Sequence, residues 1–335
     1  MKERIVVICP GRGTYTRETT GYLKSFGKSA KDRIHFMDEN WKAAGLQTIT
    51  ELDASPFKAK VHMEGEHASP LIYACSLSDF LCIDQAKYEI VAITGNSMGW
   101  YIALALSGAL NHENAFHLIQ TMGSMMKDKI IGGQIIYPIV DEHWNRDTAK
   151  IELVMEAIEK AGAHVSIFLG GYVVIGGEQN KLDYVLQILP TDGKYPFQLF
   201  YAAFHTSLME PVSQKASKML PDSMFQNPDG PLIDGRGTIW KPWSTDRHEL
   251  WQYTLRHQVV KSYDFTASLT VGMKGFCPDK LVLLGPGNTL GGAIGQLIIQ
   301  SNWMDINSKK SFIDYQKETP FLISMGMEDQ RKLVC

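Results

Sequence analysis

The tightest constraint on this chain is the pentapeptide Gly95-Asn96-Ser97-Met98-Gly99. It lies between the apolar run Ile90-Val91-Ala92-Ile93 and the stretch Trp100-Tyr101-Ile102-Ala103-Leu104-Ala105-Leu106. The first run predicts a buried strand and the second a buried helix. A Gly-x-Ser-x-Gly turn joining the two is the context of a nucleophile elbow. In that geometry Ser97 occupies the apex of a tight turn, and the flanking glycines let strand and helix pack closely. The helix start behind the serine offers free backbone N–H groups and partial positive charge to a developing oxyanion. The same five residues also fit a plain turn, so the serine needs a base before it reads as a nucleophile.

Composition narrows the classes. The chain has 335 residues, 44% of them apolar, enough for one large domain with an insertion or for two domains. A formal net charge of −3 gives no sign of broad nucleic-acid or membrane-surface binding. Cys9, Cys75, Cys82, Cys277 and Cys335 are scattered without a CxxC pair or zinc spacing, so no metal is expected. Cys75 and Cys82 fall in an apolar helical stretch and read as core packing. Ile5-Val6-Val7-Ile8 is too short an apolar run for a signal peptide. No apolar run is long enough for a membrane span. These features predict a reduced, cytoplasmic enzyme.

Along the chain, Ile5–Cys9 reads as a buried strand stopping at Pro10-Gly11-Arg12-Gly13, and Tyr22 to Gly45 as a helix anchored by Phe36 and Trp41. Ser69-Pro70 suits a helix start, with Leu71, Ala74, Cys75, Ser78 and Cys82 following at helical spacing. After strand Ile90–Thr94 and the elbow, Asn111 is a good N-cap for a helix running to about Asp128. The pattern then changes. Strand Gln134–Val140, helix Asp147–Gly162, strands Val165–Leu169 and Tyr172–Ile175, helix Glu178–Leu189 and strand Phe197–Phe200 follow in turn. This β-α-β-β-α-β order is the ferredoxin-like signature and marks an insert over about 133–200. The parent domain resumes near Tyr201. Lys280–Leu284 reads as a strand ending at Gly285-Pro286-Gly287, before a glycine-rich helix from Leu290.

Of ten histidines, His205 has the most suggestive setting. It sits in Ala202-Ala203-Phe204-His205-Thr206-Ser207, a loop between the insert's last strand and a following helix, where catalytic bases are held by rigid elements. A histidine packing at a helix start is the plainer alternative. His62, His67, His112 and His248 lie in polar surroundings and read as surface residues.

Taken together, these residues resemble the malonyl-CoA:acyl-carrier-protein transacylases, including the acyltransferase domains of fatty-acid and polyketide synthases, nearly end to end. Cys9-Pro10-Gly11-Arg12-Gly13 resembles the family's Pro-Gly-Gln-Gly loop, and Gly95-Asn96-Ser97-Met98-Gly99 its Gly-His-Ser-x-Gly elbow. Phe204-His205-Thr206 is similar to its Ser-His segment, Gln258 falls where glutamine is common, and Gly285-Pro286-Gly287-Asn288 resembles its late turn. The implied fold is α/β: an α/β-hydrolase-like large subdomain with a parallel sheet over 1–132 and 201–335, and the ferredoxin-like small subdomain over 133–200. The resemblance implies Ser97 as nucleophile and His205 as base, with the Gln258 backbone carbonyl orienting the imidazole. It also implies an oxyanion hole from the backbone N–H groups of Arg12 and Met98. The acyl group would pass from acyl-CoA through a serine ester to the phosphopantetheine thiol of an acidic carrier protein. Phosphopantetheine arrives on the substrates, so no cofactor is expected, and a monomer suits a domain of this size.

Two departures bear on the substrate. Asn96 replaces the elbow histidine, and Met122 stands where malonyl-selective members carry an arginine that grips a free carboxylate. Leaving a buried carboxylate unpaired costs several kcal/mol, on the order of a thousandfold in kcat/KM. Met122 therefore suggests a neutral acyl group, with Met125 and Met126 either beside it or facing the core. Arg12 turning inward to bind a carboxylate is the alternative. Three functions stay open: a carrier-protein S-acyltransferase, a hydrolase clearing acyl carriers on the same scaffold, and a non-catalytic carrier-docking module. The last leaves the Ser97 and His205 pair without a purpose. Lys194, Lys215, Lys218 and Arg256 are candidates for a carrier-binding surface.

Overall fold

The computed structural model describes residues 1–127, 130–199 and 201–335. Its larger sheet is built around Glu3–Cys9, whose residues from Ile5 to Cys9 are fully buried. That strand pairs in parallel with Tyr88–Gly95 on one side and Lys280–Leu283 on the other. Leu322–Ser324 extends the sheet in parallel beyond Lys280–Leu283, and Leu232–Ile233 does so beyond Tyr88–Gly95. Ile239–Trp240 closes that edge in antiparallel fashion. The helices Gly99–Leu106 and Phe265–Phe276 pack against its two central strands. That cover explains why those strands read as continuous apolar runs rather than as alternation.

One register contact positions the site. Cys9 lies opposite Gly95, so the loops after these two strands leave the carboxyl edge of the sheet side by side. In open α/β sheets that edge is where ligands bind.

The smaller sheet runs in the order Phe197–Leu199, Gly133–Pro138, Tyr172–Gly177, His164–Leu169, Tyr263–Asp264. Helices Thr148–Ala161 and Gln179–Ile188 bury Val154, Ile158, Leu182 and Val185 in a separate core beneath it. The first of these helices has an Asp147 side chain accepting from the Lys150 N–H at its start and a left-handed Gly162 at its end. The fifth strand, Tyr263–Asp264, comes from outside 133–200 and pairs in parallel with His164–Leu169. Two residues carry no periodicity, so nothing in the sequence marked them.

The structure differs from the sequence reading at several points. The stretch 22–45 is two helices, Tyr22–Phe26 and Lys31–Ala43, separated by a tight turn over Gly27–Ala30. Gly27 and Ser29 are weak helix formers, and the Ser29 hydroxyl donates to the Ser78 carbonyl at 2.5 Å, pinning the turn elsewhere. The next long helix starts at Gly65 rather than at Ser69-Pro70, and Pro70 lies inside it. The helix capped by Asn111 spans His112–Ser124; Asp128, where it was expected to end, lies outside the described residues, as does Phe200.

Cys82 is not simple core packing: it is paired in a disulfide with Cys335, with Cα atoms 5.2 Å apart. Helical spacing to Cys75 could not reveal a partner separated by 253 residues in sequence. Beside the disulfide, buried Asp79 pairs with Arg331 and accepts from Tyr22 Oη and from the Gly285 N–H. His62 is buried, not superficial: its ring packs near Tyr15 and Phe57 and bonds the Leu52 and Lys58 backbone. Among the described residues no helix is long and apolar enough to cross a membrane.

Candidate active site

The elbow forms because two backbones must touch. A Cβ on Gly99 would collide with the Cys9 carbonyl oxygen, and one on Gly95 with Gly99 itself. The Asn96 N–H donates to the Cys9 carbonyl at 3.0 Å, locking the turn to the neighbouring loop. Ser97, at the apex, has φ of 55°. A left-handed serine costs energy, and such strain persists only where the surroundings over-determine it. Behind it, Trp100 on the elbow helix is fully buried, donates to Thr254 Oγ1 at 3.0 Å and meets the Tyr253 ring edge-on. That packing fixes the spacing between the elbow and the helical segment 247–260.

His205 comes from the other side. It too is left-handed, with φ of 62°, and its N–H donates to the Val259 carbonyl at 2.9 Å. Its Nδ1 lies 2.6 Å from the Gln258 carbonyl oxygen and its Nε2 lies 2.8 Å from Ser97 Oγ. A carbonyl can only accept, so Nδ1 carries the proton and Nε2 presents its lone pair to the serine. The Gln258 carbonyl is free for this because it lies in the last turn of a helix ending at Val260, just after a widened π turn over Tyr253–His257. Burial pushes the His205 imidazole down to about 4, opposed in part by the Gln258 carbonyl. The ring is therefore neutral at ordinary pH.

The Gln258 side chain braces the same corner. Its Nε2 donates to the Ser97 carbonyl at 3.1 Å, and its Oε1 accepts from Tyr101 Oη at 2.9 Å. Tyr263 Oη donates to the Gly95 carbonyl at 2.5 Å with its ring 5.3 Å from that of His205. Sequence reading singled out neither tyrosine; both look like ordinary core aromatics at their positions.

Ser97 and His205 open into a cavity of about 350 Å³ that spans the two sheets. Met98, Arg12, Asn96, Met122 and Gln258 also line it, so every candidate site residue meets at one place. Neither the Met98 nor the Arg12 backbone N–H is engaged by another group of the described residues. Asn96 is buried, and its Oδ1 accepts no hydrogen bond there. Met122 faces the cavity, whereas Met125 and Met126 pack on the core. Ile136, Ile167, Leu169 and Val174 of the small sheet form an apolar wall opposite the elbow. Lys215 and Lys218 are exposed on the helix Glu210–Met219, which packs against the segment carrying exposed Arg256; Lys194 is exposed in a turn of the small sheet.

No family model matches the chain. Among curated proteins, it is 21% identical to the malonyl CoA-acyl carrier protein transacylase of Bacillus subtilis over 297 residues, 87% of this chain and 89% of the relative. It is 22% identical over 298 residues to a phenolphthiocerol/phthiocerol polyketide synthase chain of Mycobacterium tuberculosis, covering 87% of this chain but only 19% of that one. Among solved structures, the Synechocystis sp. PCC 6803 malonyl-CoA:ACP transacylase superposes with a TM-score of 0.75 at 17% identity, covering 100% of both chains. A malonyl-transacylase solved in complex with its type II polyketide synthase acyl-carrier protein gives 0.74 at 17% identity, covering 99% of this chain and 98% of that one. The sequence likeness and the shared fold agree along nearly the whole length. The chain is similar in sequence to malonyl-CoA:acyl-carrier-protein transacylases along most of its length and shares their fold.

Proposed function

We propose that this protein is an acyl-carrier-protein S-acyltransferase of fatty-acid or polyketide synthesis, working through a Ser97 ester. The observation that carries the reading is the chain of contacts from Ser97 Oγ to His205 Nε2 and from His205 Nδ1 to the Gln258 carbonyl. Ser97 Oγ attacks the thioester carbonyl of acyl-CoA while its proton passes to His205 Nε2. The backbone N–H groups of Met98 and Arg12 receive the oxyanion. The C–S bond then breaks, and His205 returns the proton to the departing thiolate. In the second half the carrier's phosphopantetheine thiol gives its proton to His205 and attacks the ester. The C–O bond breaks, and the proton goes back to Ser97. No third charged residue is needed, because the carbonyl already fixes the imidazole's tautomer and direction.

The acidic carrier would approach over exposed Lys215, Lys218 and Arg256, whose helices adjoin the His205 loop. The charge of the acyl group depends on which side chain meets its far end, the Met122 thioether or the Arg12 guanidinium. Mixing the protein with malonyl-, acetyl- and longer acyl-CoA and weighing it intact tests the reading. A Ser97-dependent mass gain that moves onto a holo carrier protein is expected; no adduct from any donor would refute it.

A further inference from the structure

Arg12 is the charged group at the acyl end of the cavity, and its surroundings leave it incompletely paired. One guanidinium nitrogen donates to the Met63 carbonyl at 3.0 Å, and the guanidinium carbon stands 4.6 Å from the centre of the Tyr201 ring. Its Nε is buried without a hydrogen-bond partner among the described residues. Glu64 is the nearby acid, but its carboxylate faces His67 Nδ1 at 3.5 Å rather than pairing with Arg12. Burial pushes the guanidinium down from its usual range, a sign that its charge is poorly solvated.

Its position relative to Met122 is the second observation. The helices Gly65–Cys82 and His112–Ser124 cross where Gly65 and Gly123 touch backbone to backbone; a Cβ on either would strike the other's carbonyl oxygen. A Cβ on Gly65 would also come within 3.3 Å of an Arg12 guanidinium nitrogen. Arg12 therefore lies at the crossing that Met122 immediately precedes. Ser69, one turn along the first helix, faces the same cavity.

Resting on the acyltransferase reading above, we infer that Arg12 binds a free carboxylate on the acyl group, so that the pocket selects carboxylated acyl thioesters although position 122 is methionine. A guanidinium carries five donors in a planar fork suited to a carboxylate. A neutral acyl group would cover it without pairing it, which leaves a buried charge and unmet donors. On this inference the positive charge enters from the loop after the first strand instead of from the helix, against the neutral pocket that Met122 alone suggests. The Tyr201 face holds the guanidinium without competing for its in-plane N–H groups.

The test compares malonyl-CoA with butyryl-CoA, a neutral donor of similar size, by intact-protein mass after brief loading. Wild type, Arg12→Gln and the double variant Arg12→Gln/Met122→Arg are measured beside Ser97→Ala. Wild type should load malonyl at least about a hundredfold faster than butyryl, equivalent to about 2.7 kcal/mol. In Arg12→Gln that ratio should fall by about a hundredfold, and the double variant should regain part of it. Wild type loading butyryl in preference to malonyl would overturn the inference while leaving the acyltransferase reading intact. So would Arg12→Gln lowering both donors by the same factor, the mark of a merely structural arginine. The wild-type ratio stands as a test even if the variants fail to fold. No Ser97-dependent adduct from either donor would instead remove the reading on which the inference rests.

Discussion

At the Ser97–His205 end of the cavity the polar groups are aimed by backbone; at the Arg12–Met122 end they are side chains arriving from separate elements. Ser97 and His205 both sit in left-handed conformations, and main-chain carbonyls hold them: Cys9 for the elbow, Gln258 and Val259 for the histidine. Arg12, Ser69, Met122 and Tyr201 instead come from a loop, two helices and the exit of the small sheet. Backbone constraints are hard to alter without loss of the turn itself. Side-chain constraints can be traded, and on the inference above a guanidinium at position 12 would do for the pocket what an arginine at position 122 would do. If both assignments hold, reaction type and acyl specificity are separable in this scaffold.

The largest effects should come from the backbone-held end. Ser97→Ala removes the nucleophile, and acyl transfer should fall by about 10⁴- to 10⁶-fold with the fold unchanged by circular dichroism. His205→Ala should lose a comparable factor and should not add to the serine loss, because the two act as a unit. Additive losses would break the claim that they form one device.

The pH dependence sharpens the same end. As the base proposed above, His205 would need a free Nε2 lone pair, which protonation removes. Because burial lowers its value to about 4, the acid limb of acyl-enzyme formation should lie near pH 4 rather than near the ordinary 6.5. Rates measured across pH 4 to 7 would contradict the account if they fell by half at about 6.5.

Smaller changes are expected where a side chain only braces the backbone. Gln258→Ala keeps the carbonyl that orients His205 and loses the bonds to the Ser97 carbonyl and to Tyr101. Transfer should slow by about tenfold, the scale of one or two lost hydrogen bonds, with the acid limb unmoved. Smallest of all, if Arg12 carries the discrimination, Met122→Leu should change malonyl and butyryl loading by less than about threefold, and alike. A donor-selective effect of Met122→Leu would shift specificity back to the helix.

The same division explains what the sequence could disclose. The elbow was legible because a strand, a fixed five-residue turn and a helix are contiguous from Tyr88 to Leu106. His205 was legible from its place after the β-α-β-β-α-β run. The Arg12 environment was not, since Met63, Gly65, Gly123 and Tyr201 meet there only after two helices cross. Tyr101 and Tyr263 were hidden for a different reason: their hydroxyls find polar partners inside a core that their periodicity rightly predicts. The Cys82–Cys335 bond and the buried Asp79–Arg331 pair are likewise products of long-range closure, which no local spacing encodes.

The most direct test of the central claim is a single turnover in two steps. The acyl-enzyme is formed with malonyl-CoA, separated from free donor, and then mixed with a holo carrier protein while both masses are followed. The account predicts that the acyl mass leaves Ser97 and appears on the carrier faster than it is lost to water without the carrier. An acyl-enzyme that decays to free acid while the carrier stays empty would contradict it and make the protein a hydrolase.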